Sequence, residues 1–360
     1  MNFENADFRE EVLDIENPFD VKFVSKFLKK LEFDYTPKDV DYTMVLYTLN
    51  DEIIGTGSYQ NHVLKYVAVA PKYRSSAAFS QIVTHLMDKL LTEYKNIFVY
   101  TLPRNTKVFE GLGFTEIATA PPLFSVLEFG YENIKTYQQY LRKQKQSVST
   151  GPVSAIVVNC NPFTNGHKYL IEKAAQESRI LYLFVVEEDR SSFPFEVRWE
   201  LIKKGIAHLQ NVFMLKGGDY VVSGTIFPSY FLKNENPGMI AEKQAELDIR
   251  TFINYIVPIL GISRRYVGTE NYDATTLAYN NAMKALLPRA GVKLIEIDRK
   301  KAATTTGETS IISASIVRQA IKDDRLSEIE EFLPESTRNY LKSSESDWVK
   351  AKIKSSNTRH

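Results

Sequence analysis

Asn159-Cys160-Asn161-Pro162-Phe163-Thr164-Asn165-Gly166-His167 is the stretch whose reading decides the fold. The run before it, Val153-Ser154-Ala155-Ile156-Val157-Val158, is short, mostly apolar and β-branched, the composition of a strand buried on both faces. After it, Lys168 to Ala175 carries apolar residues at helical spacing, and Ile180 to Val186 reads as a second buried strand. Strand, loop, helix and strand in that order make a right-handed βαβ unit. The loop then lies at the carboxyl end of a parallel strand and opens a helix. Ligands bind at that position in open α/β sheets, and the free N–H groups of the helix start attract phosphate. Pro162 fixes the turn, Gly166 lets a bulky group approach the backbone, and His167 lies at the start of the helix. By residue type alone, His167 as a plain helix cap and Thr164 as a turn-bonding hydroxyl stay equally open.

This loop resembles the Thr/His-x-Gly-His motif of the nucleotidyltransferase superfamily, with Thr164, Gly166 and His167 at the matching positions. The resemblance implies that Thr164 and His167 hold the α- and β-phosphates of ATP and stabilise charge as pyrophosphate leaves. Asn161, Pro162, Phe163 and Gly166 would shape the same phosphate site. Near the C-terminus, Ile312-Ser313-Ala314-Ser315-Ile316-Val317-Arg318 resembles the second motif of that superfamily, Ile-Ser-x-x-x-Val/Ile-Arg. Ser313 is a good N-cap, and Arg318 stands just over one turn on, within reach of the same phosphates. The bland alternative is a capped helix with a surface arginine.

The chain has 360 residues, enough for two domains with proper cores. Lysine plus arginine (45) balances aspartate plus glutamate (44), which argues against a nucleic-acid or membrane-surface protein. The acidic start, Met1 to Glu11, has no apolar h-region, and no apolar run reaches the length of a membrane span. One cysteine, Cys160, allows no internal disulfide, so a cytoplasmic location is expected. Histidines form no ligand-spaced cluster, so no tightly held protein-bound metal is expected.

Residues 1–132 read as a first, mixed α/β domain. Val67-Ala68-Val69-Ala70-Pro71-Lys72-Tyr73-Arg74 and Phe109-Glu110-Gly111-Leu112-Gly113-Phe114 resemble segments of the GCN5-related N-acetyltransferases. Between them the family has Arg/Gln-x-x-Gly-x-Gly/Ala, whereas Arg74 here is followed by Ser75-Ser76-Ala77-Ala78-Phe79. Ala77 and Phe79 stand where the pyrophosphate of acetyl-CoA needs glycine-type residues. The expectation is a scaffold that transfers no acetyl group from acetyl-CoA and helps to present a prosthetic arm. Residues 133–150 read as a polar linker, partly helical at its start, 151–335 as a Rossmann-like nucleotidyltransferase domain with a parallel sheet, and 336–360 as a polar, peripheral tail.

Arg198, near the first turn of a helix, stands where related nucleotidyltransferases often place a basic substrate contact, with a surface ion pair equally open; Gly268-Thr269-Glu270, running off a strand, is a further candidate for holding nucleotide. Thr276, Tyr279 and Asn280 follow on the next helix. Ser229 and Tyr230, in a hydroxyl- and aromatic-rich stretch after another strand, are candidates for the wall of a substrate pocket, and a packed loop with an aromatic anchor stays equally open. Thr304-Thr305-Thr306-Gly307 reads as a loop able to close over phosphates.

The combination of the two domains with Asn159 to His167, Phe227-Pro228-Ser229-Tyr230-Phe231 and Ile312-Ser313-Ala314-Ser315 resembles the citrate lyase ligase family, over roughly residues 20–335. That resemblance implies an ATP-dependent ligase acting on acetate, with Mg2+ accompanying ATP. Acetyl-adenylate and pyrophosphate would form first. A thiol would then displace AMP, and that thiol belongs to the phosphoribosyl-dephospho-CoA prosthetic group of the citrate lyase acyl carrier subunit. Two other readings stay open: a small-molecule adenylyltransferase of the nucleotide or coenzyme A precursor type, and a non-catalytic binding or regulatory protein.

Overall fold

The computed structural model describes residues 8–147, 150–187, 191–221, 227–232, 235–269, 274–303 and 309–356. Its contacts divide the chain into two units: Met1–Tyr137 with Ile226–Arg250, and Gln138–Thr225 with Thr251–His360.

The first unit is built on a seven-stranded sheet. Its strands are β1 (Arg9–Val12), β2 (Tyr42–Tyr47), β3 (Ile53–Gln60), β4 (Val63–Val69), β5 (Asn96–Thr101), β6 (Thr115–Ala120) and β7 (Phe124–Gly130), in the order β1-β2-β3-β4-β5-β7-β6. Only β4 and β5 pair in parallel; the other neighbours are antiparallel. Helices α1 (Pro18–Lys30), α2 (Ala78–Leu90) and α3 (Thr106–Glu110) accompany it, and a later helix, Pro237–Thr251, belongs to the same unit up to Arg250. Asn17 caps α1 by accepting from Phe19 N–H, and proline takes the first helical position, where no donor is missed. The α2 helix buries Ile82, Val83, Leu86 and Leu90 on one face. It lies so close to β3 that a Cβ on Gly57 would stand 2.5 Å from Ile82 Cγ2 and 2.7 Å from Leu86 Cδ1.

The second unit is organised by a five-stranded sheet of β8 (Val153–Val158), β9 (Ile180–Val185), β10 (Val212–Lys216), β11 (Arg264–Gly268) and β12 (Lys293–Ile297). All its pairs are parallel, and the order is β10-β9-β8-β11-β12. The chain moves outward from β8 in one direction, then restarts on its other side with β11. Ligands gather at such a reversal, outside the carboxyl ends of the strands. Here β8 and β11 are in register at Ser154 and Ala155 only, so their carboxyl halves part.

The helices in chain order are α4 (Ile134–Gln144), α5 (Asn165–Gln176), α6 (Phe195–Gly205), α7 (Pro237–Thr251), α8 (Val257–Leu260) and α9 (Ala274–Leu286). A short antiparallel pair, β13 (Lys301–Ala303) and β14 (Thr309–Ile311), precedes α10 (Ala314–Lys322), α11 (Glu335–Lys342) and α12 (Asp347–Ser355).

Three boundaries differ from the sequence expectation. The stretch 133–150, expected as a linker partly helical at its start, is helical over most of its length as α4, which buries Ile134, Tyr137 and Leu141 at helical spacing. The segment around 226–250, expected inside the second domain, groups with the first unit. The stretch 336–360, expected as a peripheral tail, carries Leu341, Val349 and Ile353 into a core with Ile312 and Val317. Its polar composition conceals an apolar stripe, and burial follows the stripe.

Gly57→Val places a branched side chain where α2 already sits. Overpacking of that kind costs about 1–3 kcal/mol, so thermal or urea unfolding of the variant should shift down accordingly. An unchanged midpoint would mean that α2 does not pack on β3 in this way.

Candidate active site

The loop after β8 is held rigidly from below. Phe163 is fully buried, and the Cβ that Gly205 lacks would collide with its ring. Thr337 Oγ1 donates to Phe163 O at 2.8 Å. Cys160 has φ 53° and the Asn161–Pro162 peptide is cis. Asn161 Oδ1 accepts from Phe193 N–H at 2.9 Å, and Ser191 Oγ donates to Asn159 Oδ1 at 3.2 Å. Burial pushes the Cys160 thiol up, so it stays protonated and is no nucleophile.

Arg198 does not meet the expectation of a substrate contact. It is 0% exposed, and Nη1 donates at 2.8 Å to both Asn159 O and Val186 O, while Nε donates at 3.0 Å to Phe193 O. A guanidinium in the first turn of α6 thus ties together the main chain leaving β8 and β9. The residue type was legible in the sequence; its inward direction was not.

Above this base, Thr164 caps α5 and His167 closes a reciprocal box. Thr164 Oγ1 accepts from His167 N–H at 3.4 Å, and Thr164 N–H donates to His167 Nδ1 at 3.1 Å. Thr164 Oγ1 lies 2.9 Å from the same Nδ1. An Nδ1 that accepts a backbone N–H carries no proton, so the imidazole proton is on Nε2. Burial, with a smaller push from the Arg299 charge, holds the His167 pKa down at about 4. At neutral pH the ring is therefore an uncharged Nε2–H donor. The cap and the phosphate-directed donor, open alternatives in the sequence, are compatible here: one ring nitrogen serves each.

The second motif adjoins the first. A Cβ on Gly166 would stand 2.9 Å from Ile312 O and 3.5 Å from Ile312 Cβ. Ser313 caps α10 by accepting from Ile316 N–H at 3.3 Å. Arg318 Nη1 donates to Asn161 O, so the second motif grips the first through main chain. Burial lowers the Arg318 pKa without bringing it near neutrality for a guanidinium.

Gly268 and Thr269 leave the carboxyl end of β11, next to β8 in the sheet. Thr269 N–H donates to Ile297 O at 3.0 Å and Asn280 Nδ2 donates to Gly268 O at 3.3 Å. Arg299 Nε donates to Thr269 O at 2.7 Å. Arg299, just past β12, was not among the residues singled out from the sequence; its hold on Thr269 depends on β11 and β12 being neighbours, which no local pattern shows. Glu270 and the Thr304-Thr305-Thr306-Gly307 loop lie outside the described residues. Ser229 and Tyr230 belong to the first unit, where Tyr230 packs on Tyr66. A strand end locates the start of a loop but does not decide which core its rings enter.

The residues brought together are donors: two helix starts, a neutral histidine, a serine and two arginines. The missing Cβ at Gly166 keeps the helix starts adjacent, a fit to a polyphosphate. Among the described residues no group of three His, Cys, Asp or Glu side chains could hold a metal ion.

Comparison with known proteins identifies the family. Residues 153–341 match the family described as the citrate lyase ligase C-terminal domain. The chain is 36% identical over 310 residues to the [citrate [pro-3S]-lyase] ligase of Haemophilus influenzae, covering 84% of this chain and 90% of that protein. The enzyme of the same name from Escherichia coli is 31% identical over 311 residues, covering 84% and 86%. That of Klebsiella pneumoniae is 31% identical over 294 residues, covering 80% and 83%.

Two predictions follow from the loop. Arg198→Met leaves three main-chain carbonyls without their donor and should destabilise the chain by about 3 kcal/mol or more in urea unfolding. Normal stability with a raised KM for ATP would restore Arg198 as a ligand contact. The second concerns pH. Unfolded histidine titrates near 6.5 but folded His167 near 4, so between those values the unfolded chain binds a proton that the folded chain does not. Stability should therefore fall as pH drops through that window, and more gently in His167→Gln. Equal slopes in the two proteins would contradict a neutral buried imidazole.

Proposed function

The chain belongs to the citrate lyase ligase family, and from that premise we propose that it uses ATP to activate acetate and acetylates the prosthetic-group thiol of the citrate lyase acyl carrier subunit, switching the lyase on. The observation that carries this reading is the abutment of Gly166 on Ile312, which sets the starts of α5 and α10 side by side. Such a site suits a reaction whose charge grows on phosphate oxygens.

In the first step an acetate oxygen attacks the α-phosphorus of ATP, and the bond to the pyrophosphate oxygen breaks. Acetate attacks as an anion, so no general base is needed. The protein's part is to position the phosphates and to stabilise charge on the leaving pyrophosphate. His167 Nε2–H, the N–H groups opening α5 and α10, Ser313 and Arg318 are the proposed donors, and Thr164 fixes the imidazole so that Nε2–H is the proton presented. Mg2+ would arrive with ATP and share the phosphate charge. In the second step the carrier thiol gives up its proton as its sulfur bonds to the acetyl carbon, and the carbon–oxygen bond to AMP breaks. The proposed location of the reaction is the cytoplasm. Among the described residues, no helix is long and apolar enough to cross a membrane.

ATP–pyrophosphate exchange tests this. It should depend on acetate; exchange that needs a mononucleotide or phosphopantetheine instead would make the chain a small-molecule adenylyltransferase, and no exchange at all would make it a binding protein. His167→Gln keeps an acceptor for Thr164 N–H at the third helical position and loses the ring donor. Acetate-dependent exchange should fall about 100- to 1000-fold with little change in unfolding temperature. Near-normal exchange in that variant would remove His167 from the reaction.

A further inference from the structure

The first unit has a helix face that its own core does not use. Helix α1 turns Val24, Phe27 and Leu28 inward. At 3.6 residues per turn, Phe19, Lys22, Phe23, Lys26, Lys29 and Lys30 fall together on an arc of roughly 120° on the other side. All six are exposed. The helix has one acid, Asp20, and it lies off this arc, accepting from Asp14 N–H at 3.0 Å. Among the described residues, none of these four lysines forms an ion pair, whereas Lys95 of the same unit meets Glu132 at 2.7 Å.

Local roles account for part of this pattern only. Lys29 and Lys30, in the last turn, complement the helix dipole. Lys22 and Lys26 stand earlier, and the pairs Lys22–Lys26 and Lys26–Lys30 set like charges four residues apart, which weakens a helix. Phe19 is 81% exposed and adds nothing to the core. Phe23 stacks on Tyr47 with ring centroids 6.2 Å apart, so its ring is held in place while 43% of the residue stays exposed. Rings left in water beside cations without a counter-charge gain stability when a partner covers both.

We propose that this face of α1 docks the protein substrate: the carrier subunit, which meets the lysines with carboxylates and covers the two rings with apolar side chains. Four cations and no acid select an acidic partner and steer its approach, and the rings supply the anchor. The identity of the partner as the carrier rests on the ligase reading above; the demand for an acidic partner with an apolar patch rests on the helix face alone. An anionic membrane would answer the same charges, but a helix that lies in a membrane surface buries a continuous apolar face there. The apolar face of α1 is turned into its own core.

The test titrates the full-length chain with the purified carrier subunit, its prosthetic group attached, in isothermal titration calorimetry. Lys22→Glu combined with Lys26→Glu should weaken binding at least tenfold, and Phe19→Ala severalfold. Wild-type affinity should fall as salt is raised, and that dependence should flatten in the double variant. Acetate-dependent ATP–pyrophosphate exchange needs no carrier and should match the wild type in every variant. No carrier binding by the wild type, or unchanged affinity in the folded double variant, overturns the proposal. So does charge-dependent binding of the face to phosphatidylglycerol vesicles with unchanged carrier affinity, which would assign it to a membrane. Phe19→Ala, at a position mostly in solvent, decides the matter if the double variant fails to fold. A failed ligase reading would appear separately, as wild-type exchange that ignores acetate.

Discussion

The site in the second unit depends on a contact with no room in it. Gly166 faces the main-chain carbonyl of Ile312 so closely that its missing Cβ would stand 2.9 Å from that oxygen. Because the side chain is absent, α5 and α10 can begin side by side. Each helix start carries about half a positive charge from its open N–H groups, and Arg318 and Arg299 add whole ones nearby. Like charges gathered in this way repel, so the arrangement is least favourable when empty and gains most when an anion enters. Burial first, and the Arg299 charge second, hold the pKa of His167 down. A protonated ring would add repulsion; a neutral ring still offers a hydrogen-bond donor.

The loop also sorts its dipoles. Four of its neighbouring carbonyls, those of Asn159, Asn161, Val186 and Phe193, are taken by the guanidiniums of Arg198 and Arg318. Carbonyl oxygens left facing a phosphate would oppose it. Engaging them with guanidiniums leaves the N–H groups of the helix starts as the local face of the backbone. In the proposed function, Arg198 would serve phosphate binding without touching phosphate. Burying a guanidinium is costly unless its donors are met, and bonds to three carbonyls meet that condition.

What the sequence made legible was whatever is local. The βαβ unit around Asn159 to His167 is decided within a few turns of chain, and the Thr164–His167 box joins residues three apart. The cap of Ser313 on α10 is local in the same sense. Arg198 was misjudged because a helix-start arginine looks the same whether it turns inward or outward; direction depends on which carbonyls the fold brings within reach. Arg299 was missed because its hold on Thr269 comes from sheet order. The C-terminal stretch looked like a tail because its polar average hides Leu341, Val349 and Ile353, whose partners begin with Ile312, some thirty positions earlier.

The segment around 226–250 shows why linear order is a poor guide to domains. Lengthening a connection adds little closure entropy, about 0.6 kcal/mol for each doubling, so the chain between β10 and β11 is free to be long. Where its apolar residues settle is decided by burial. A buried aromatic side chain removes roughly 150–250 Å² from water, and Phe227, Tyr230 and Phe231 together need a surface that is apolar and still open. The parallel sheet of the second unit is flanked by its own crossover helices, whereas the first unit has a sheet whose two central strands part after two registered pairs. Rings settle where a core is incomplete. The bulge at Tyr66 supplies a main-chain donor at that same place, and the Tyr230 hydroxyl answers it. Aromatic bulk and one polar group thus assign the segment to the first unit, although its sequence neighbours on both sides build the second.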